Sequence, residues 1–118
     1  WYGMNSMFYG AENFDQDISK WDVSNVNNMY GMFYAASSFN QDLSNWDVSS
    51  VTNMYNMFAY AISFNQDISD WDVSSVTEMS SIFYDAISFN QDISAWFDII
   101  EKDCLWPHFL LASSSAAD

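Results

Sequence analysis

One feature constrains this chain more than any other: a 25-residue unit recurs in strict register. Trp21, Trp46, Trp71 and Trp96 stand 25 apart, and Met4, Met29, Met54 and Met79 keep the same step. So do Phe8, Phe33, Phe58 and Phe83, then Phe14, Phe39, Phe64 and Phe89, then Ala11, Ala36, Ala61 and Ala86. Residues 46–70 and 71–95 are identical at 18 of 25 positions without a gap. A period of this length marks a stack of units, each too small to hold its own core and each burying an apolar face against its neighbours. The expected division is a repeat array over 1–96, with a partial coil at 1–20 and whole coils at 21–45, 46–70 and 71–95, followed by a non-repeat segment at 97–118.

Within one unit the apolar pattern changes. Met54, Met57, Phe58 and Ala61 fall at i, i+3, i+4 and i+7, the spacing of a short helix whose N-cap is Thr52. Phe64, Gln66 and Ile68 alternate with Asn65, Asp67 and Ser69, the spacing of a strand. Trp46, Val48 and Val51 read as core residues on an extended turn, in which Asp47 accepts a bond from a backbone N–H near Ser49. The predicted fold class is therefore an α/β repeat solenoid, leucine-rich-repeat-like, with one short parallel strand and one short helix per 25-residue coil. Gln16, Gln41, Gln66 and Gln91 then lie at the core edge. They form either a ladder of side chains or a set of bonds to turn carbonyls within their own coils.

The strands' outward positions form a grid. Its middle column is Asp17, Asp42, Asp67 and Asp92. Asp15, Asn40, Asn65 and Asn90 flank it on one side, and Ser19, Ser44, Ser69 and Ser94 on the other. At a strand spacing of roughly 4.8 Å, neighbouring carboxylates repel by roughly 0.9 kcal/mol even in water. Bonds from Asn and Ser, solvent screening or a bound cation must offset this. A ladder of divalent cations on Asp17, Asp42, Asp67 and Asp92 is the sharp reading, because Ca²⁺ favours carboxylate oxygen. The favoured reading is a solvated face that holds no metal, and no cofactor is implied. Tyr30 and Tyr55 share a register, as do Tyr9, Tyr34 and Tyr84. An exposed row of such rings suits protein or carbohydrate contact. The candidate binding face is thus Asn40, Asn65, Asn90, Ser44, Ser69, Ser94, Tyr30 and Tyr55.

Charge and the rare residues narrow the function. Sixteen acidic residues against two basic ones give a net charge of −14, a surface that repels phosphate backbones and argues against nucleic acid. Cys104 and His108 are the only residues of their kinds. Alone in a Pro-interrupted tail, they make neither a nucleophile pair nor a zinc site. Nothing in the repeats is singular as an active site is, so no enzyme is expected. No apolar run reaches the roughly 18 residues of a membrane span. The chain starts at Trp1 without a leader, so the expectation is a fragment or processed product whose targeting signal lies elsewhere.

The string Phe64-Asn-Gln-Asp-Ile-Ser-Asp-Trp-Asp-Val-Ser-Ser-Val-Thr-Glu-Met79, followed by Phe83, resembles the BspA-like leucine-rich repeat family. It is most similar to the 25-residue unit of mycoplasma surface lipoproteins. The resemblance covers 1–96 and implies an extracellular or cell-surface setting, adhesion and partner binding, and no catalytic residues. Phe and Trp stand where many relatives have Leu, and the pattern fails after Trp96. The expected function is a non-enzymatic surface repeat module that binds a protein or glycan. The alternative is a structural spacer within a longer array. The apolar tail, 97–118, is expected to cap the array, with a loose polar end at 113–118; the alternative is a frame change or unspliced sequence, since the similarity stops abruptly after Trp96.

Overall fold

The backbone N–H groups of one unit can be followed individually, and their partners define the fold. The computed structural model describes residues 3–98. From Met54 onward, the N–H groups of Met54, Asn56, Phe58 and Tyr60 donate to the carbonyls of Glu78, Ser80, Ile82 and Tyr84 in the next unit. Those of Met57, Ala59 and Ala61 donate three residues back, to Met54, Asn56 and Phe58. Tyr55 N–H donates to Asn53 Oδ1 at 2.9 Å. Every donor from 54 to 61 is thereby satisfied, and none through the i→i−4 bond of an α-helix.

This overturns the expected α/β repeat solenoid with its leucine-rich-repeat-like coil. Among the described residues there is no α-helix and no β-strand, and the one regular element is a short 3₁₀ helix, η1, at Ser94–Asp98. Isolated parallel bridges join Gly3 to Asn28, Asn28 to Asn53 and Asn53 to Glu78. They fall at the start of the segment expected to be helical, while the segment expected as a strand (64–69) has no regular structure. The helix fails for a physical reason. Backbone with positive φ recurs at Ser6 and Gly10, Gly31 and Ala35, Asn56 and Tyr60, and Ser81 and Asp85. A left-handed residue every fourth position ends each turn and aims the next N–H at the neighbouring unit. The spacing 54, 57, 58, 61 nonetheless puts four fully buried side chains on one side. Consecutive tight turns and a helix satisfy that spacing equally.

The core runs through the units as columns of rings. Phe8, Phe33, Phe58 and Phe83 stack at 5.6, 5.4 and 5.7 Å, and Phe14, Phe39, Phe64 and Phe89 at 5.7, 6.0 and 6.0 Å. Each pair within a unit is closer still, 4.2 Å for Phe58 and Phe64. Such contacts are worth about 0.5–1.5 kcal/mol beyond the area they bury. Trp46, Trp71 and Trp96 are buried, and each indole N–H donates to a carbonyl 28 residues earlier, beyond the whole intervening unit: Ile18, Leu43 and Ile68. Trp21 is 38% exposed. The radius of gyration is 12.7 Å, close to the ~13 Å of a compact globule of this length. The cap expected over 97–118, with Cys104 and His108, lies outside the described residues apart from its first two positions.

Candidate functional site

The predicted grid separates into columns with different jobs. The Asp column is exposed, and each carboxylate is held by its own unit. Asp17, Asp42, Asp67 and Asp92 accept the backbone N–H of Ser19, Ser44, Ser69 and Ser94 at 2.8 to 3.0 Å. Asp22, Asp47 and Asp72 do the same with Ser24, Ser49 and Ser74. These serine bonds hold all seven carboxyls below the usual aspartate range. At Asp42 the opposing push from Asp17 and Asp67 is weaker than the bonds to Ser44. Serine is thus one of the groups that offset the repulsion along the Asp column. Among the described residues no three His, Cys, Asp or Glu side chains converge to hold a metal.

The Asn column is exposed and joins units through its Oδ1 atoms. Asn65 N–H donates to Asn40 Oδ1 at 2.9 Å, and Gln66 Nε2 donates to both Oδ1 and the carbonyl of Asn40. Asn90 and Gln91 repeat this on Asn65, and Asn40 and Gln41 repeat it on Asp15. Gln41, Gln66 and Gln91 therefore bond the Asn or Asp of the preceding unit, which is neither a ladder of glutamines nor a bond within their own turns. Since Asp15 serves as well as Asn, the column needs only an acceptor at that place.

The tyrosines lie on the turn side, among residues whose backbone makes the bonds between units. Tyr9 and Tyr34 stack at 4.4 Å, and Tyr30 and Tyr55 meet at 5.5 Å. Tyr60 continues the first row, edge to face with Tyr34 at 5.4 Å and with Tyr84 at 5.5 Å. Tyr60 stands one residue out of register, where Ala59 occupies the tyrosine position of the other units, so a search by period alone misses it. The signal was present: Ala59 breaks a tyrosine column beside a tyrosine. Partial burial, then the neighbouring tyrosines, push the Tyr34 and Tyr60 hydroxyls up, with Asp85 adding to the effect at Tyr60. Both hydroxyls are protonated at neutral pH and can donate and accept.

Tyr34, Tyr55, Tyr60 and Tyr84 border a cleft of about 220 Å³ together with Asn56, Ala59 and Ser81. Asn56 Oδ1 is buried without a hydrogen-bond partner. A Cβ on Gly31 would come within 3.2 Å of that oxygen, so the glycine leaves room for the amide. No carboxylate lines the cleft, and Lys20 is the one basic residue among the described residues.

Comparison with known proteins gives one match. The family described as "Mycoplasma protein of unknown function, DUF285" matches residues 2–102. No curated protein and no solved structure matches the chain.

Proposed function

We propose a binding role for this chain, which belongs to DUF285, a Mycoplasma protein family of unknown function. The reading is a non-enzymatic surface repeat module for adhesion, contacting a protein or glycan through its tyrosine face. The observation that carries it is the row Tyr9, Tyr34, Tyr60 and Tyr84 with the cleft beside it. Tyr9, Tyr60 and Tyr84 are 53, 37 and 43% exposed, far more than packing requires, and tyrosine supplies large contact area at low entropic cost. The net charge of −14 disfavours nucleic acid as the partner.

The WDVS repeat supports a finer relation to BspA-like surface proteins, and with it an extracellular or cell-surface setting. That relation concerns setting and role, not the helix-and-strand coil corrected above. Among the described residues no helix is long and apolar enough to cross a membrane. A second reading, a spacer within a longer array, draws on the Asn and Gln column, whose polar groups join one unit to the next.

The test is binding of the purified chain to immobilised glycans and proteins, repeated with Tyr34, Tyr55, Tyr60 and Tyr84 all changed to Ser. A binding module loses about tenfold or more in affinity with an unchanged melting profile. A spacer binds nothing selectively, and the variant behaves as wild type.

A further inference from the structure

The tyrosine cleft has a chemical bias that narrows its occupant. Its lining includes four tyrosines, Ser81 and Asn56, whose hydroxyl and amide groups can accept hydrogen bonds. Its rings do not form one flat platform. Tyr60 lies at 69° to Tyr34 and 84° to Tyr84, so aromatic surfaces of different inclination border a single space. A pyranose ring stacks best on a flat exposed face, whereas a cation gains from several rings at once. The charge points the same way. The protein carries −14 overall, no basic side chain lines the cleft, and Asp85 lies close enough to act on Tyr60.

We infer that the cleft between Tyr34, Tyr55, Tyr60 and Tyr84 receives an arginine side chain from a basic segment of a partner protein. A guanidinium brings five donors and no acceptor, stacks on aromatic rings and loses less hydration than an ammonium. It matches a pocket of ring faces with hydroxyl and amide acceptors better than lysine does. The long-range field of the acidic protein would raise the encounter rate with a basic partner, while the cleft would set which side chain enters. This inference rests on the tyrosine face being a binding surface.

The experiment uses the 118-residue chain and three labelled peptides of sequence Gly-Gly-X-Gly-Gly, in which X is arginine, lysine or citrulline. Citrulline keeps the shape of arginine without its charge. Affinity is measured by NMR titration at two salt concentrations. Arginine is expected to bind about tenfold more tightly than citrulline and more tightly than lysine. Tyr60→Leu and Tyr84→Leu, which keep every charge, should each weaken arginine about fivefold, and Tyr60→Phe should keep most of the affinity. A thermal melt of each variant checks that the fold survives. Equal binding of arginine and citrulline, or arginine binding indifferent to Tyr60→Leu and Tyr84→Leu, overturns the inference, because the attraction is then diffuse. A neutral oligosaccharide that binds wild type and is lost in the leucine variants, with no arginine preference, also overturns it but leaves the tyrosine face a binding surface. If the leucine variants bind every probe as wild type does, the binding reading falls as well.

Discussion

The two sides of each unit are joined to their neighbours by different chemistry. On the turn side, backbone N–H groups donate to backbone carbonyls of the next unit, as from Met54, Asn56, Phe58 and Tyr60. On the opposite side the link runs through side chains, with Asn40 and Asn65 accepting from the backbone and glutamine of the following unit. A backbone link makes no demand on side-chain identity, and here the residues vary from unit to unit: Tyr30, Tyr55 and Ser80; Gly31, Asn56 and Ser81. A side-chain link demands an acceptor and a donor at fixed places, and Asn and Gln recur from Asn40-Gln41 to Asn90-Gln91, with Asp15 as the acceptor before them. Variation is therefore free to serve binding on the turn side, which is where the tyrosines and their cleft are found.

Four measurements would break or sharpen this contrast. The largest effect belongs to the core the two sides share. Phe58 stacks on Phe64 across its own unit and on Phe33 and Phe83 in the adjoining units. Phe58→Ala should cost about 3–5 kcal/mol in urea unfolding, through lost burial and the cavity left behind. A loss under about 1 kcal/mol would mean that the ring columns do not hold the two sides together.

The direct comparison comes next. Asn65→Ala removes the acceptor for Asn90 N–H and Gln91 Nε2 and should cost about 1–2 kcal/mol, because the site is exposed and water partly replaces the bonds. Asn65→Asp keeps the acceptor, as Asp15 does naturally, and should cost clearly less at neutral pH. On the turn side, Tyr84→Ser should stay within about 0.5 kcal/mol. Equal losses for Asn65→Ala and Tyr84→Ser would erase the distinction between the two sides.

The left-handed positions test the turn side itself. Ala35 has φ 58°, and Ala35→Gly should stabilise by about 1 kcal/mol, since glycine adopts that region without the Cβ clash. Gly31→Ala and Gly10→Ala should both destabilise. Gly31 should suffer more, because its Cβ would press on Asn56 Oδ1 at 3.2 Å while that of Gly10 meets nothing within 4 Å. Calorimetric melting temperatures rank the three.

The smallest effect concerns acid. The seven serine-bonded aspartates have pKa values lowered by folding. Each therefore binds its proton more readily when unfolded. Their contribution is present above the unfolded value of about 3.9 and is lost as pH falls through the lower folded values. Ser69→Ala removes the Oγ bond of 2.7 Å to Asp67. It should be less stable than wild type at pH 7, and the two should converge below the folded values. A difference that persists unchanged in strong acid would show that Ser69 acts through something other than the carboxylate.

Much of the core was legible in the sequence. From Met29 onward the columns of Trp, Met, Phe and Ala are buried in the structure, and the Asp-x-Ser spacing did announce its backbone bond. The partners of the glutamines were not legible, because alternation along one chain does not say which atom of a neighbouring unit a side chain meets. Nor was Tyr60, which joins its row from the wrong register.

What the sequence determined by itself is the period, the set of residues withdrawn from water and the acidic character of the surface, all of which follow from composition and spacing. Only the tertiary structure decided the path of the backbone. Apolar residues at 54, 57, 58 and 61 are buried by a helix and by a run of tight turns alike. The choice lay with the N–H groups, and those of Met54, Asn56, Phe58 and Tyr60 found carbonyls 24 residues ahead. No local pattern encodes a bond whose acceptor becomes available only when the next unit is in place.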